Sequence, residues 1–112
     1  MSSVVTDIYV RVVSEKKTVG GMIEEVDHGV LTRKVRIAAV PVLGQNIELN
    51  DCGRRVELGR VRYVNHVCQP EPSPFAVEES DSPAVEVTVE KLTNSAEAFI
   101  ERLKGQRFHE VP

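Results

Sequence analysis

Tryptophan is absent from this chain, aromatic side chains make up only 4% of it, and cysteine occurs twice. Two cysteines, Cys52 and Cys68, in a chain long enough to form an adequate core read as reduced thiols rather than as a disulfide framework. No apolar run approaches the ~20 residues of a membrane-spanning helix, and Met1 to Tyr9 shows no basic leader followed by an apolar stretch. No membrane association is therefore expected, and the expected location is the cytoplasm. The only glycine pair, in Val19-Gly20-Gly21-Met22, lacks the later glycine and lysine of a phosphate cradle, which argues against nucleotide binding. A net charge of −3 offers no global attraction for a polyanion or an acidic membrane, so any nucleic-acid binding must be local.

What the chain has in excess is valine: 20 valines stand against six leucines and six alanines. That bias suits the half-buried pleated face of a sheet better than a helix. At 112 residues the chain fits one domain with a single core. Apolar and polar residues alternate over Thr6 to Glu15, giving a first strand with Ile8, Val10 and Val12 on one face. A turn is expected within Lys16 to Gly21. Met22 to Val26 is then read as a strand leading into a three-residue loop, Asp27-His28-Gly29, with Leu31, Val35, Ile37 and Ala39 forming the apolar face beyond it. A short helix over Thr18 to Asp27, closed by Gly29, is the alternative. Pro41 and Gly44 bend the chain before a strand carrying Ile47 and Leu49, and Asn50-Asp51-Cys52-Gly53 turns it back.

On the return, Val56 and Leu58 share one parity while Val61, Tyr63 and Val67 resume one residue out of phase, which predicts a β-bulge at Gly59 and an inward Tyr63. Residues 69–83 hold four prolines, three serines and four acidic residues and are expected to form a long mobile loop. Ala84 to Lys91 alternates again, with Val85, Val87 and Val89 inward. A helix is expected over residues 94–105, capped by Asn94 and Glu97, carrying the stripe Ala96, Phe99, Ile100 and Leu103, and stopped by Gly105. Residues 106–112 form the expected loose tail. The fold class is thus mainly β: a strongly bent antiparallel sheet or small barrel of five or six strands with one C-terminal amphipathic helix.

Motifs that carry chemistry are few. Residues 33 to 62 are locally basic, with Arg33, Lys34, Arg36, Arg54, Arg55, Arg60 and Arg62 against Glu48, Asp51 and Glu57. Arg54, Arg55, Arg60 and Arg62 are the candidates for a nucleic-acid-binding face, with Tyr63 as a stacking platform were it exposed. The favoured reading is that these arginines face solvent or meet the acidic run from Glu71 to Glu90, because charge runs usually face solvent. His66 and Cys68 share a strand face and Cys52 can approach them only if the strands pair closely. His-x-Cys without a second ligand pair does not match zinc spacing, and no orienting group marks a nucleophile there, although Asp51, Glu57 and Glu86 are carboxylates that folding can bring near. No catalytic residue, metal or cofactor is assigned. A helix of about ten residues does not persist alone in water, so Phe99, Ile100 and Leu103 must pack on the sheet or on another subunit, and Phe108 beyond the helix can extend that apolar surface. They are the candidate interface residues. The leading expectation is a non-enzymatic protein-interaction module, homo-oligomeric, using strand edges and this helix. The alternatives are a nucleic-acid-binding or regulatory β-domain, and a small-molecule binder or minor enzyme with a pocket between sheet and helix.

Overall fold

The computed structural model describes residues 3–67 and 83–112. Cys68 and most of the expected 69–83 loop lie outside the described residues. Along the chain come β1 (Val4–Lys17), β2 (Ile23–Ile37), β3 (Asn46–Asp51), β4 (Arg54–His66), β5 (Val85–Leu92), α1 (Ala96–Gly105) and β6 (His109–Glu110). They form one six-stranded sheet in the order β3-β4-β5-β1-β2-β6. The mainly β class and the single C-terminal helix agree with the sequence reading. The sheet is mixed rather than wholly antiparallel, because β5 runs parallel to β1 at its centre. It is also unclosed, so barrel describes its curvature only loosely.

The valine-rich alternation builds the core. Ile8, Val10 and Val12 of β1 lie beside Val85, Val87 and Val89 of β5 and Leu31 of β2, all buried on the concave face, with Val56, Leu58 and Val61 of β4 completing that layer. α1 covers it with Ala96, Phe99 and Leu103, and Phe108 joins them from beyond the helix. The candidate interface side chains Phe99, Leu103 and Phe108 are therefore buried within their own chain, and Ile100 packs partly against the same cluster.

Several local expectations are corrected. Asp27-His28-Gly29 does not turn the chain, and the alternative helix over Thr18 to Asp27 does not form. β2 runs straight through, while the turn expected within Lys16 to Gly21 is present as the reversal at Thr18–Met22, where the Thr18 amide donates to the Met22 carbonyl at 2.8 Å. Three residues of β2 advance against two of β1 between the pairs Arg11–Val30 and Val13–Asp27, so the Asp-His-Gly signal encodes a bulge. Gly29 takes a φ of +111° there while its amide donates to Asp27 Oδ1. Ala39, expected on the apolar face, lies beyond β2 and is exposed.

The bulge beside Gly59 is present. A second irregularity follows at Arg62, between the pairs Val61–Val89 and Tyr63–Thr88. It reverses the phase once more, so Tyr63 points outward and Val64 packs toward the core instead. The β3–β4 reversal is as expected, with Cys52 and Gly53 both at positive φ, as a two-residue hairpin turn of the I′ type demands. Helix capping differs: Ser95, not Asn94, is the N-cap, and it makes no side-chain cap bond. At the other end Arg107, at φ +67°, takes the left-handed position expected of Gly105. The tail is anchored rather than loose, because Phe108 is buried and β6 pairs with Leu31 and Thr32 of β2.

Candidate interaction site

Beyond the bulge at Val13 and Asp27, β1 and β2 leave the body of the sheet as a two-stranded arm. β5 stops pairing with β1 at Leu92, and the C-terminal segment reaches β2 at Thr32, Leu31 and, through the Val111 amide, the Val30 carbonyl, so both edges of the arm lack a strand partner among the described residues. Four residue pairs form it: Ser14–Val26, Glu15–Glu25, Lys16–Glu24 and Lys17–Ile23. At its tip the turn is ordered, because Gly21 N–H donates to the Thr18 carbonyl at 3.0 Å and Met22 N–H to Thr18 Oγ1 at 3.2 Å. Val19 is fully exposed, and Met22 and Ile23 are 72% and 65% exposed. A fixed turn thus presents three aliphatic side chains to water. At the base, Arg11 donates to Asp27 at 3.0 Å and to Glu90 at 3.2 Å, tying the arm to β5. The Asp27 carboxyl is held below its ordinary range, first by the Gly29 amide and then by Arg11.

At the other end of the sheet lies a hollow of about 270 Å³. Val35 and Ile37 of β2 and Ile47 and Leu49 of β3 line it from two sides, over a floor that includes Leu58 and Val87. β2 and β3 are not neighbours in the sheet, so the hollow marks a seam where the curled sheet comes round on itself without pairing. One end of the seam is pinned: Arg33 donates to Asp51 Oδ2 at 3.1 Å and to the Gln106 carbonyl at 3.0 Å. The bond from Arg33 is the main reason the Asp51 carboxyl is shifted down. At the other end the β2–β3 connection passes, with Val42 and Leu43 exposed.

The four candidate arginines do not converge. Arg54 and Arg55 follow the hairpin turn, and Arg55 is paired with Glu48 at 2.7 Å. Arg60 and Arg62 sit further along β4, where Arg62 approaches Glu90 at 3.6 Å. Among the described residues, Glu90 is a point at which the acidic run meets the basic segment. The outward Tyr63, 71% exposed, stands in one cross-strand row with Thr88 and Tyr9. At ~4.8 Å per strand the two tyrosines are about 10 Å apart. Tyr9 is shifted up by burial first, then by the negative charge of Asp7 and Glu86.

His66 and Cys52 stand at opposite ends of β4, both exposed, so Cys52 does not come near His66. Among the described residues no three His, Cys, Asp or Glu side chains gather as a metal would require. Asp51 and Glu57 are occupied by Arg33 and Lys91, and Glu86 by Asn65. One pairing had no sequence signal: Ser14 Oγ lies 2.7 Å from His28 Nε2, brought together only by the bulge register. It resembles a nucleophile with its base, but the oxygens of adjacent Asp27 are taken by Arg11 and the Gly29 amide, so Asp27 does not orient the ring. The pair is also open to water.

Comparison with protein-family models, with curated proteins and with solved structures finds no match to this chain.

Proposed function

We propose that this chain is a non-enzymatic interaction module that self-associates, with the β1–β2 arm as its contact element. The observation that carries this reading is the ordered apolar tip formed by Val19, Met22 and Ile23 on a ribbon with two unpaired edges. A two-stranded ribbon is marginal alone in water, and unpaired edges are templates for another chain. Glu15 and Glu25 face each other directly across the ribbon, an unfavourable pair that a cationic group on a partner relieves. An ordered tip loses little conformational freedom on docking, so more of its apolar burial becomes affinity. Because α1 is consumed by its own core, the arm takes the contact role that the helix was expected to play. Native mass spectrometry is expected to give an oligomer for the wild type and a folded monomer for a V19D/M22D chain. A wild-type monomer, or an oligomer unchanged by the two substitutions, would overturn the reading.

A second reading has one observation in its favour, the outward Tyr63 flanked by Arg60 and Arg62. Single-stranded nucleic acid uses such a stacking platform with arginines on its phosphates. Glu86, Glu90 and Asp7 share the face and weigh against it. Binding of labelled single strands at low salt that is lost in Tyr63→Ala would support it, and absence of binding would remove it.

A further inference from the structure

Resting on the arm as contact element, we infer that two copies join their arms edge to edge along β1, antiparallel about a twofold axis level with Lys16. In an antiparallel ladder alternate residues direct their amide and carbonyl groups to the same side. The Val13 carbonyl accepts from the Thr93 amide at 2.9 Å, on the β5 side, and the Thr18 amide donates to the Met22 carbonyl at 2.8 Å, on the β2 side. No register shift falls between them. Glu15 and Lys17 therefore direct their backbone groups to the edge that β5 leaves at Leu92, and among the described residues no backbone group bonds to them there. Such an edge is a template for a further strand.

Symmetry and charge select a second copy as that strand. A twofold contact between antiparallel strands keeps each face of the sheet continuous, so the axis lies level with a residue and not between two. Level with Glu15, it sets Glu15 against Glu15 and Lys17 against Val13, whose carbonyl is already taken. Level with Lys17, it sets Lys17 against Lys17 and Glu15 against the turn. Level with Lys16, Glu15 stands opposite Lys17 of the other copy on both sides of the axis, and each such pair is a hydrogen-bonded one. Glu15, Lys16 and Lys17 are exposed, and among the described residues no ion pair or side-chain hydrogen bond engages them. The cation that Glu15 lacks against Glu25 across its own ribbon is then Lys17 of the other copy. The two Lys16 meet at the axis, each with Glu24 across its own ribbon. The edge is thus complementary in charge to itself in the register its backbone polarity permits. The partner's chain turns away after Lys17, beside the end of β5, which brings its exposed Val19 next to Leu92, 53% exposed. The contact is isologous and closes at two copies.

Charge swapping tests this. E15K sets lysine against Lys17 and K17E sets glutamate against Glu15, in both cases twice per dimer. Both positions are exposed, so the variants are expected to fold, checked by circular dichroism. In sedimentation velocity the wild type is expected to form a dimer that grows no further, and each single variant to associate about tenfold or more weakly. An equimolar mixture of E15K and K17E is expected to recover a 1:1 dimer, and the E15K/K17E chain to dimerise as the wild type does. In a C52S/C68S background, K16C is expected to cross-link to itself under mild oxidation, because residues opposite each other at a non-hydrogen-bonded site lie ~4.5 Å apart, within disulfide range. S14C, which would stand opposite the turn, is expected not to. If V19D/M22D is a monomer while E15K and K17E each associate as the wild type does, or K16C does not cross-link, the arm meets its copy by another route, and this inference fails while the reading above stands. Two folded single variants that stay monomeric when mixed would overturn it as well. A wild type that stays monomeric at high concentration, its edge open to a foreign strand instead, would overturn both.

Discussion

Gly59 is the residue at which backbone conformation and packing are most tightly joined. Its φ of +125° disfavours any L side chain, and a Cβ there would overlap the carbonyl oxygen of Glu90 on β5. Gly29 has a comparable φ of +111° but open space around it. Gly59→Ala is therefore expected to destabilise the fold by ~2 kcal/mol or more, and Gly29→Ala by about 1 kcal/mol, measured as shifts of urea midpoint at constant slope. Position 59 was legible because two apolar parities collide there. The irregularity at Arg62 was not, since no glycine or proline marks it, and Tyr63 was turned to the wrong face as a result. Asp51 gives a second residue-scale prediction. Its folded pKa is depressed, chiefly by the hydrogen bond from Arg33, so its stabilising contribution is present above the unfolded carboxylate value and is lost as pH falls through the folded one. Stability measured by urea unfolding is expected to fall on acidification, and to fall less steeply in Asp51→Asn.

α1 shows how an element can be correctly located and its role still left open. Its stripe was readable from the spacing of Ala96, Phe99, Ile100 and Leu103, but periodicity names the apolar face and not the surface that covers it. Phe108 decides the matter. A left-handed Arg107 swings the chain back so that Phe108 N–H donates to the Leu103 carbonyl at 3.0 Å and its ring enters the core. Leu103→Ala, at a position with no exposure, is expected to destabilise the fold by ~2–5 kcal/mol. Removal of residues 94–112 is expected to leave no cooperative thermal transition by circular dichroism. The arm behaves in the opposite way. Its tip touches no core residue, and V19D/M22D is expected to shift unfolding stability by ~0.5 kcal/mol or less while changing association. The arm escaped the sequence reading because Asp27-His28-Gly29 imitates a hairpin loop. Placing a second reversal there, after the one expected within Lys16 to Gly21, cuts β2 in two and hides the protruding end of the ribbon.

Sheet closure is a property of the whole molecule, and no local pattern reports it. Bends at Pro41, Gly44 and Gly59 announced curvature, yet whether β2 and β3 meet and pair across the sheet depends on the summed twist of every strand between them. Here the edges approach closely enough for Arg33 to reach Asp51 but form no ladder, and the apolar side chains between them are left lining an open hollow. Salt separates the two functional readings at this scale. The proposed contact is mainly aliphatic, and its flanking charges are exposed ones of the kind worth ~0.2–1 kcal/mol per pair before screening. Raising ionic strength from 0.1 to 0.5 M shortens the screening length from about 10 Å to less than half that, yet leaves apolar burial intact. The self-association constant is therefore expected to change by about fivefold or less over that range in sedimentation equilibrium. Binding of single strands through Arg60, Arg62 and Tyr63 would instead release counterions, with a log–log slope of about −0.7 for each phosphate contacted. An association constant that fell steeply with salt would show that charge, not the apolar tip, holds the copies together.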